Sequence, residues 1–169
     1  MNALGEERLL QRGEMLLNIG QRERWVYLVT SGAFRVFCHT DPTSEQTVRF
    51  AYAGNLVTSV QSLFEDRPSE YGIMALRQSV VLQLDYLSFK RFVNQSGEQL
   101  MAYSQFLEQL VVQQMQRELD LLTASPIERY RRVIARSPQL FQEVPLKYIA
   151  DYLRMTPETL SRLRADLNS

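Results

Sequence analysis

Apolar and polar positions along this 169-residue chain change rhythm twice. Between residue 8 and about residue 85, short runs rich in Val, Tyr, Phe and Leu recur at 14–17, 25–30, 33–39, 46–53, 71–77 and 80–85. Gly13, Gly20, Gly32 and Gly54 punctuate them, and Asp41-Pro42-Thr43-Ser44 reads as a hairpin tip. Phe34, Val36 and Cys38 alternate with Arg35, Phe37 and His39, the pattern of a strand with one more exposed face. Many short strands parted by glycine turns predict a sandwich or barrel-like roll.

The rhythm then becomes helical. Ser96 is a cap, and the stretch to Leu122 has no proline and no glycine after Gly97, which predicts one helix of about 26 residues and about 39 Å. Leu100, Tyr103, Leu107, Leu110, Val111, Met115 and Leu122 follow a heptad-like track with Glu118 in register and Gln114 as a polar break. Such a helix is too long for a domain of this size to cover. Its stripe therefore calls for a partner: a second copy is the simplest, and the β-roll of the same chain the alternative.

Ser125-Pro126 restarts the pattern as a cap followed by proline, with Ile127, Tyr130, Val133 and Ile134 at helical spacing. Arg129, Arg131, Arg132 and Arg136 fall on the outer arcs of this helix, where they face phosphate or simply water. Residues 144–169 read VPLKYIADYLRMTPETLSRLRADLNS, two short helices meeting at a three-residue junction. Counting from Leu146, apolar side chains recur at Ile149, Leu153, Met155, Leu160 and Leu163, with Ala150 small where the helices cross. Thr156 caps the second helix and Pro157 takes its first position, where a missing donor costs nothing.

Leu160, Leu163 and Leu167 share one face of that helix, and Glu158, Ser161, Arg162 and Ala165 the other, flanked by Thr159 and Arg164. This is the spacing of a DNA-binding helix-turn-helix, and its side chains suit the major groove. Arginine forks onto guanine, a carboxylate accepts from cytosine, and serine serves either. Thr156, Glu158, Thr159, Ser161, Arg162, Arg164 and Lys147 are the candidate DNA contacts. An ordinary helical hairpin, with Glu158 and Arg162 as an exposed i,i+4 pair, is the plainer reading. The junction departs from the usual pattern: its backbone should turn left-handed, which favours glycine, and it holds Arg154 at a cost of about 1 kcal/mol.

Charge sharpens the division. Residues 1–124 hold 11 basic and 14 acidic side chains, residues 125–169 hold 8 and 5, so a net charge of zero hides a basic end on an acidic body. The single Cys38 excludes an internal disulfide and any cysteine-ligated iron–sulfur cluster held by this chain alone. His39 is the only histidine, too few for a metal-dependent enzyme on a jelly roll, and no nucleophile–base pair or phosphate loop appears. Neither an enzyme nor a cofactor is expected. No apolar run approaches the roughly 20 residues of a membrane span, and the charged N-terminus does not read as a secretory signal, so the cytoplasm is the expected compartment.

The order of these parts resembles the regulators related to the cyclic-AMP receptor protein and the fumarate–nitrate regulator. The resemblance is carried by LLQRGEMLLNIGQRERWVYLVTSGAFRVF at 9–37, NLVTSVQSLF at 55–64 and IADYLRMTPETLSRLR at 149–164. It implies an α+β chain: a jelly-roll, cyclic-nucleotide-binding-like domain over 1–95, a dimerisation helix over 96–123, and a winged-helix-like helix-turn-helix domain over 124–169. It also implies a homodimer joined through 96–122 that reads a two-fold symmetric site on double-stranded DNA with Glu158, Ser161 and Arg162. RNA polymerase is a further candidate partner, and a small-molecule effector is left without an identity.

Several departures from the family matter. Members that bind cyclic nucleotides carry a Gly-Glu pair for the ribose and an Arg-Ser or Arg-Thr pair for the phosphate. Here Thr58-Ser59 and Ser69-Glu70 stand in those places, and Arg67 lies two residues from the place expected for the arginine. Thr58, Ser59, Arg67, Ser69 and Glu70 are thus a degenerate candidate pocket, and a phosphate buried beside Glu70 without a cation would cost several kcal/mol. The family's N-terminal helix is expected to be nearly absent, and so is the wing after the recognition helix. An alternative function is a ligand-binding or protein-interaction module with a vestigial helix-turn-helix; a third is a cyclic-nucleotide sensor with an unorthodox pocket.

Overall fold

The structure, a computed structural model, describes residues 5–168, with side chains described as far as Asp166. It divides into two compact units, Met1–Phe92 and Val93–Ser169.

The first unit is a sandwich of two four-stranded antiparallel sheets. One contains, in spatial order, β1 (Glu6–Leu10), β8 (Ser79–Asp85), β3 (Trp25–Ser31) and β6 (Leu56–Val57). The other contains β2 (Met15–Leu17), β7 (Tyr71–Ala75), β4 (Ala33–Asp41) and β5 (Ser44–Tyr52). Inward-facing residues of both sheets form the core, with Leu10, Val29, Phe34, Ile73, Ala75 and Val81 sealed from solvent. Two short helices, α1 (Val60–Glu65) and α2 (Tyr86–Val93), complete the set of elements up to residue 93.

All four punctuating glycines, Gly13, Gly20, Gly32 and Gly54, have positive φ. Gly32 is doubly constrained: at φ +90° a Cβ would stand 2.1 Å from the Ser79 hydroxyl. That hydroxyl is committed, accepting the Ala33 N–H at 3.1 Å and donating to the Arg77 carbonyl at 2.9 Å. Glycine at 32 is therefore what lets β3 turn into β4 against β8.

The structure adds one strand to this unit and corrects one expectation. Strand β1, which precedes the first apolar run of the sequence at 14–17, pairs along its whole length with β8. Strand β4 does not have one exposed face over its first half, because Arg35 and Phe37 are as buried as Phe34 and Val36. A buried guanidinium must be matched by acceptors. Arg35 Nε donates to Thr47 Oγ1 at 2.7 Å, Nη1 meets Glu45 Oε2 at 2.5 Å, and the group lies 4.6 Å above the Phe37 ring. Cys38 is half-buried and His39 exposed.

The second unit is helical: α3 (Gly97–Leu122), α4 (Pro126–Arg136), α5 (Leu140–Glu143), α6 (Leu146–Tyr152) and α7 (Pro157–Asn168). The Ser96 hydroxyl accepts the Gln99 N–H at 3.2 Å, and Ser125 does the same for Glu128 at 3.4 Å ahead of Pro126. Val133, Leu140, Val144, Ile149, Ala150, Leu153 and Leu160 make the core of α4–α7. Helix α3 is different. Leu100, Met101, Leu107, Val111, Val112, Met115, Leu119 and Leu122 are all exposed, and its buried side chains are Arg117 and Asp120. Of the heptad-like track, Leu100, Leu107, Val111, Met115 and Leu122 are exposed, and Tyr103 and Leu110 half-buried. No helix among the described residues is long and apolar enough to cross a membrane.

Candidate nucleic-acid interface

The candidate recognition face is built from the turn between α6 and α7. Arg154 has φ 56°, the left-handed conformation its position requires. The Met155 N–H bonds the Ala150 carbonyl at 3.0 Å and the Arg154 N–H bonds that of Asp151 at 3.0 Å, the paired bonds of a Schellman ending. Thr156 then caps α7 by accepting the Thr159 N–H at 3.2 Å. Leu160 is fully buried and Leu163 half-buried, which fixes the rotation of α7. The Leu167 side chain, expected on the same face, lies outside those described.

That rotation leaves Thr156, Glu158, Ser161, Arg162 and Ala165 exposed on the other side, with Thr159 half-buried at their edge. Glu158 and Arg162 do not form the ion pair their spacing allows. The Glu158 carboxyl is held below its ordinary range by its own backbone N–H and by the Thr156 hydroxyl, so it serves the helix start. Arg162 engages no carboxylate among the described residues, which leaves its guanidinium fork exposed to solvent. Arg164 stacks 4.2 Å over Phe141, and Lys147 lies 4.6 Å over Tyr148 with its charge exposed.

The arginines of α4 are a correction. Of the four expected on its outer arcs, three point into the protein. Arg129 Nε donates to the Leu153 carbonyl at 3.1 Å, and its Nη1 to Thr123 at 2.6 Å and Ala124 at 3.0 Å. Arg132 and Arg136 both bind Asp120. Only Arg131 of the four is fully exposed. Three of the eight basic side chains in residues 125–169 are therefore structural.

The candidate ligand residues of the β-roll divide into two sets. Ser59 and Ser69 come together, each 2% exposed, and Ser69 Oγ donates to Ser59 Oγ at 2.7 Å. The same Ser69 oxygen accepts the Tyr71 N–H at 3.1 Å, and Tyr71 packs against the core. Thr58 is tied to the Trp25 carbonyl at 2.8 Å. Arg67 and Glu70, by contrast, lie at the surface, where Arg67 meets Glu65 at 2.7 Å and Glu70 at 3.8 Å. Glu70 thus does not face the serine pair as a buried carboxylate.

The model of the cyclic nucleotide-binding domain matches residues 7–96, more than half of the chain. The chain belongs to the cyclic nucleotide-binding domain family. None of the curated proteins matches it in sequence. Solved structures match across both units. FixK2 from Bradyrhizobium japonicum superposes with a TM-score of 0.83 at 17% identity, covering 98% of this chain and 85% of its own. The c-di-GMP-responsive global regulator CLP of Xanthomonas campestris gives 0.76 at 15%, covering 98% and 87%. A CRP-family transcriptional regulator from Thermus thermophilus gives 0.71 at 22%, covering 95% and 84%. These likenesses establish the fold: a cyclic nucleotide-binding sandwich, a long helix and C-terminal helices. The two whose activity is stated are regulators of gene expression.

For a family member, two features of this chain lay outside what its sequence signalled. The Asp120 cluster joins side chains 12 and 16 positions apart, a spacing set by how two helices cross rather than by any periodicity. Glu23 is the other: it is buried with Oε1 accepting the N–H groups of Arg24 and Trp25, each at 2.9 Å, while Oε2 has no hydrogen-bond partner among the described residues.

Proposed function

We propose that the protein is a sequence-specific DNA-binding transcription regulator of the kind related to the cyclic-AMP receptor protein and the fumarate–nitrate regulator. Two copies join through residues 96–122 and read a two-fold symmetric site, one α7 per half. The observation that carries this reading is the exposed Glu158–Ser161–Arg162 face, held by a buried Leu160 and a complete Schellman turn. The uncovered apolar stripe of α3 supports the dimer. A family fold shared with CLP and the Thermus regulator agrees with both.

Cyclic AMP in its usual pose is not the effector in this reading. Ser59 and Ser69 bond each other, and Arg67, the arginine closest in sequence to the family's phosphate place, is committed to surface carboxylates. A phosphate buried there would have no counter-cation.

Selection of DNA from a random pool followed by gel shift tests the proposal. A saturable complex at low salt is expected, and Arg162→Ala should cost about 1–3 kcal/mol and relax one base position. No saturable complex, together with no effect of Arg162→Ala, would sink it. The internal use of Arg129, Arg132 and Arg136 favours a second reading, an interaction module with a vestigial helix-turn-helix. Such a module would show neither a specific complex nor a steep salt slope.

A further inference from the structure

The end of α3 is an unusual place for an aspartate, because the C-terminus of a helix carries partial negative charge. Asp120 nevertheless sits two residues from that end and is 1% exposed. Both of its oxygens are taken by side chains one turn apart on α4. Arg132 Nε donates to Oδ1 at 2.9 Å, and Arg136 Nη2 donates to Oδ2. One turn earlier on α3, the Arg117 guanidinium stacks 3.6 Å over the ring of Tyr152, the last residue of α6. Arg129 closes the corner by bonding the carbonyls of Thr123, Ala124 and Leu153.

These contacts join three elements: the long helix, the first helix of the reading unit, and the helix that leads into the recognition turn. The buried side chains that α3 contributes are the two charged ones, so the joint is held by directional bonds and not by an apolar contact that could slide. Buried ion pairs add little to stability compared with apolar residues of similar size, but they accept only a narrow range of geometry.

We propose that Asp120 is a positioning residue that fixes the angle between α3 and the recognition helix, and thereby the separation of half-sites that a dimer can read. The functional part of this inference rests on the DNA-binding reading given above; the geometric part does not.

The test uses the full chain in two arms. In the first, half-sites selected by the unaltered protein are placed as inverted pairs in duplexes whose spacing changes one base pair at a time. Asp120→Asn is compared with the triple replacement Asp120→Leu, Arg132→Met, Arg136→Met, which fills the same space with apolar side chains and keeps the fold. The unaltered protein should prefer one spacing by at least about tenfold over its neighbours. Both variants should flatten that preference to about threefold or less while binding a single half-site within about twofold of normal. A folded triple variant that keeps the original spacing preference overturns the proposal.

In the second arm, spin labels are placed at Gln109→Cys on α3 and Ala165→Cys on α7 in a Cys38→Ser background, diluted with unlabelled protein. A single narrow distance distribution that broadens in both variants supports the positioning role even if the unaltered protein binds no DNA, in which case the DNA reading fails alone. Equal distributions in all three proteins overturn it.

Discussion

The two places where this chain carries polar residues at family-like positions have opposite fates. In the β-roll, Ser59 and Ser69 are buried and spend their hydroxyls on each other and on Tyr71. On α7, Glu158, Ser161 and Arg162 are exposed, and Arg162 meets no carboxylate among the described residues. The first set was a candidate only through the family resemblance, the second through residue type and spacing as well. What separates them is saturation: a polar group whose bonds are satisfied inside the protein must break them to hold a ligand, while an exposed one loses only water. Under the proposed function, the first unit would be a sensor whose serine pair is internally satisfied, and the second a reader whose face is exposed.

The comparison breaks most severely at the proposed dimer. Replacing Val111 and Met115 by glutamate puts charge on the exposed stripe of α3 without touching either candidate site. Sedimentation should show monomers, and affinity for a two-half-site duplex should fall by about a hundredfold or more as the linked second half is lost. A dimer that survives both charges would show that the stripe is not the interface.

Removing one hydroxyl of the closed site should be felt as stability and not as DNA binding. Ser69→Ala leaves the Ser59 hydroxyl and the Tyr71 N–H without their partner, at a cost of about 1–3 kcal/mol. Thermal unfolding should report the loss, while the base preference of the selected site stays unchanged. An unaffected melting temperature would mean that the serine pair is not under the constraint described.

A smaller effect is expected at the recognition turn. Arg154→Gly relieves the left-handed strain at φ 56° and should stabilise the reading unit by up to about 1 kcal/mol. Chemical denaturation would measure it, and destabilisation would show that the Arg154 side chain does more for the turn than its backbone costs.

The smallest effect concerns Glu23, whose carboxyl is pushed above its ordinary range first by burial, against the opposing bonds from Trp25 and Arg24. The folded state therefore holds this proton more tightly than the unfolded chain. Its contribution is fully present below the unfolded pKa and is lost as pH rises through the folded one. Glu23→Gln should thus gain on the unaltered protein as pH rises from about 4 to about 8. A melting-temperature difference constant across that window would contradict the assignment.

Local signals carried much of the architecture. A serine cap and an unbroken run without proline mark α3, positive-φ glycines mark the strand turns, and the apolar spacing around Arg154 marks a left-handed turn that the structure contains. Features that depend on distant partners were not legible. The segment from Glu6 to Leu10 carries no strand-like apolar run, yet its backbone bonds run along β8. Arg35 looks like the exposed member of an alternating pair, but Thr47 and Glu45 on the neighbouring strand accept its charge. The arginines of α4 look like a phosphate-facing row until Asp120 takes two of them. In each case local spacing sets the element, and a residue far along the chain decides where the side chain goes.

The proposed reading face is tested most directly by titrating the selected duplex with the protein across a range of salt. Arg131, Lys147, Arg154, Arg162 and Arg164 meet no carboxylate among the described residues, which leaves about ten cations for two copies to set against phosphate. The account predicts a saturable complex whose log affinity falls linearly with log salt, with a slope no steeper than about −9. Arg162→Ala should reduce that slope and relax one base position in each half. A salt-independent association, or one equally strong on any sequence and indifferent to Arg162, would contradict it.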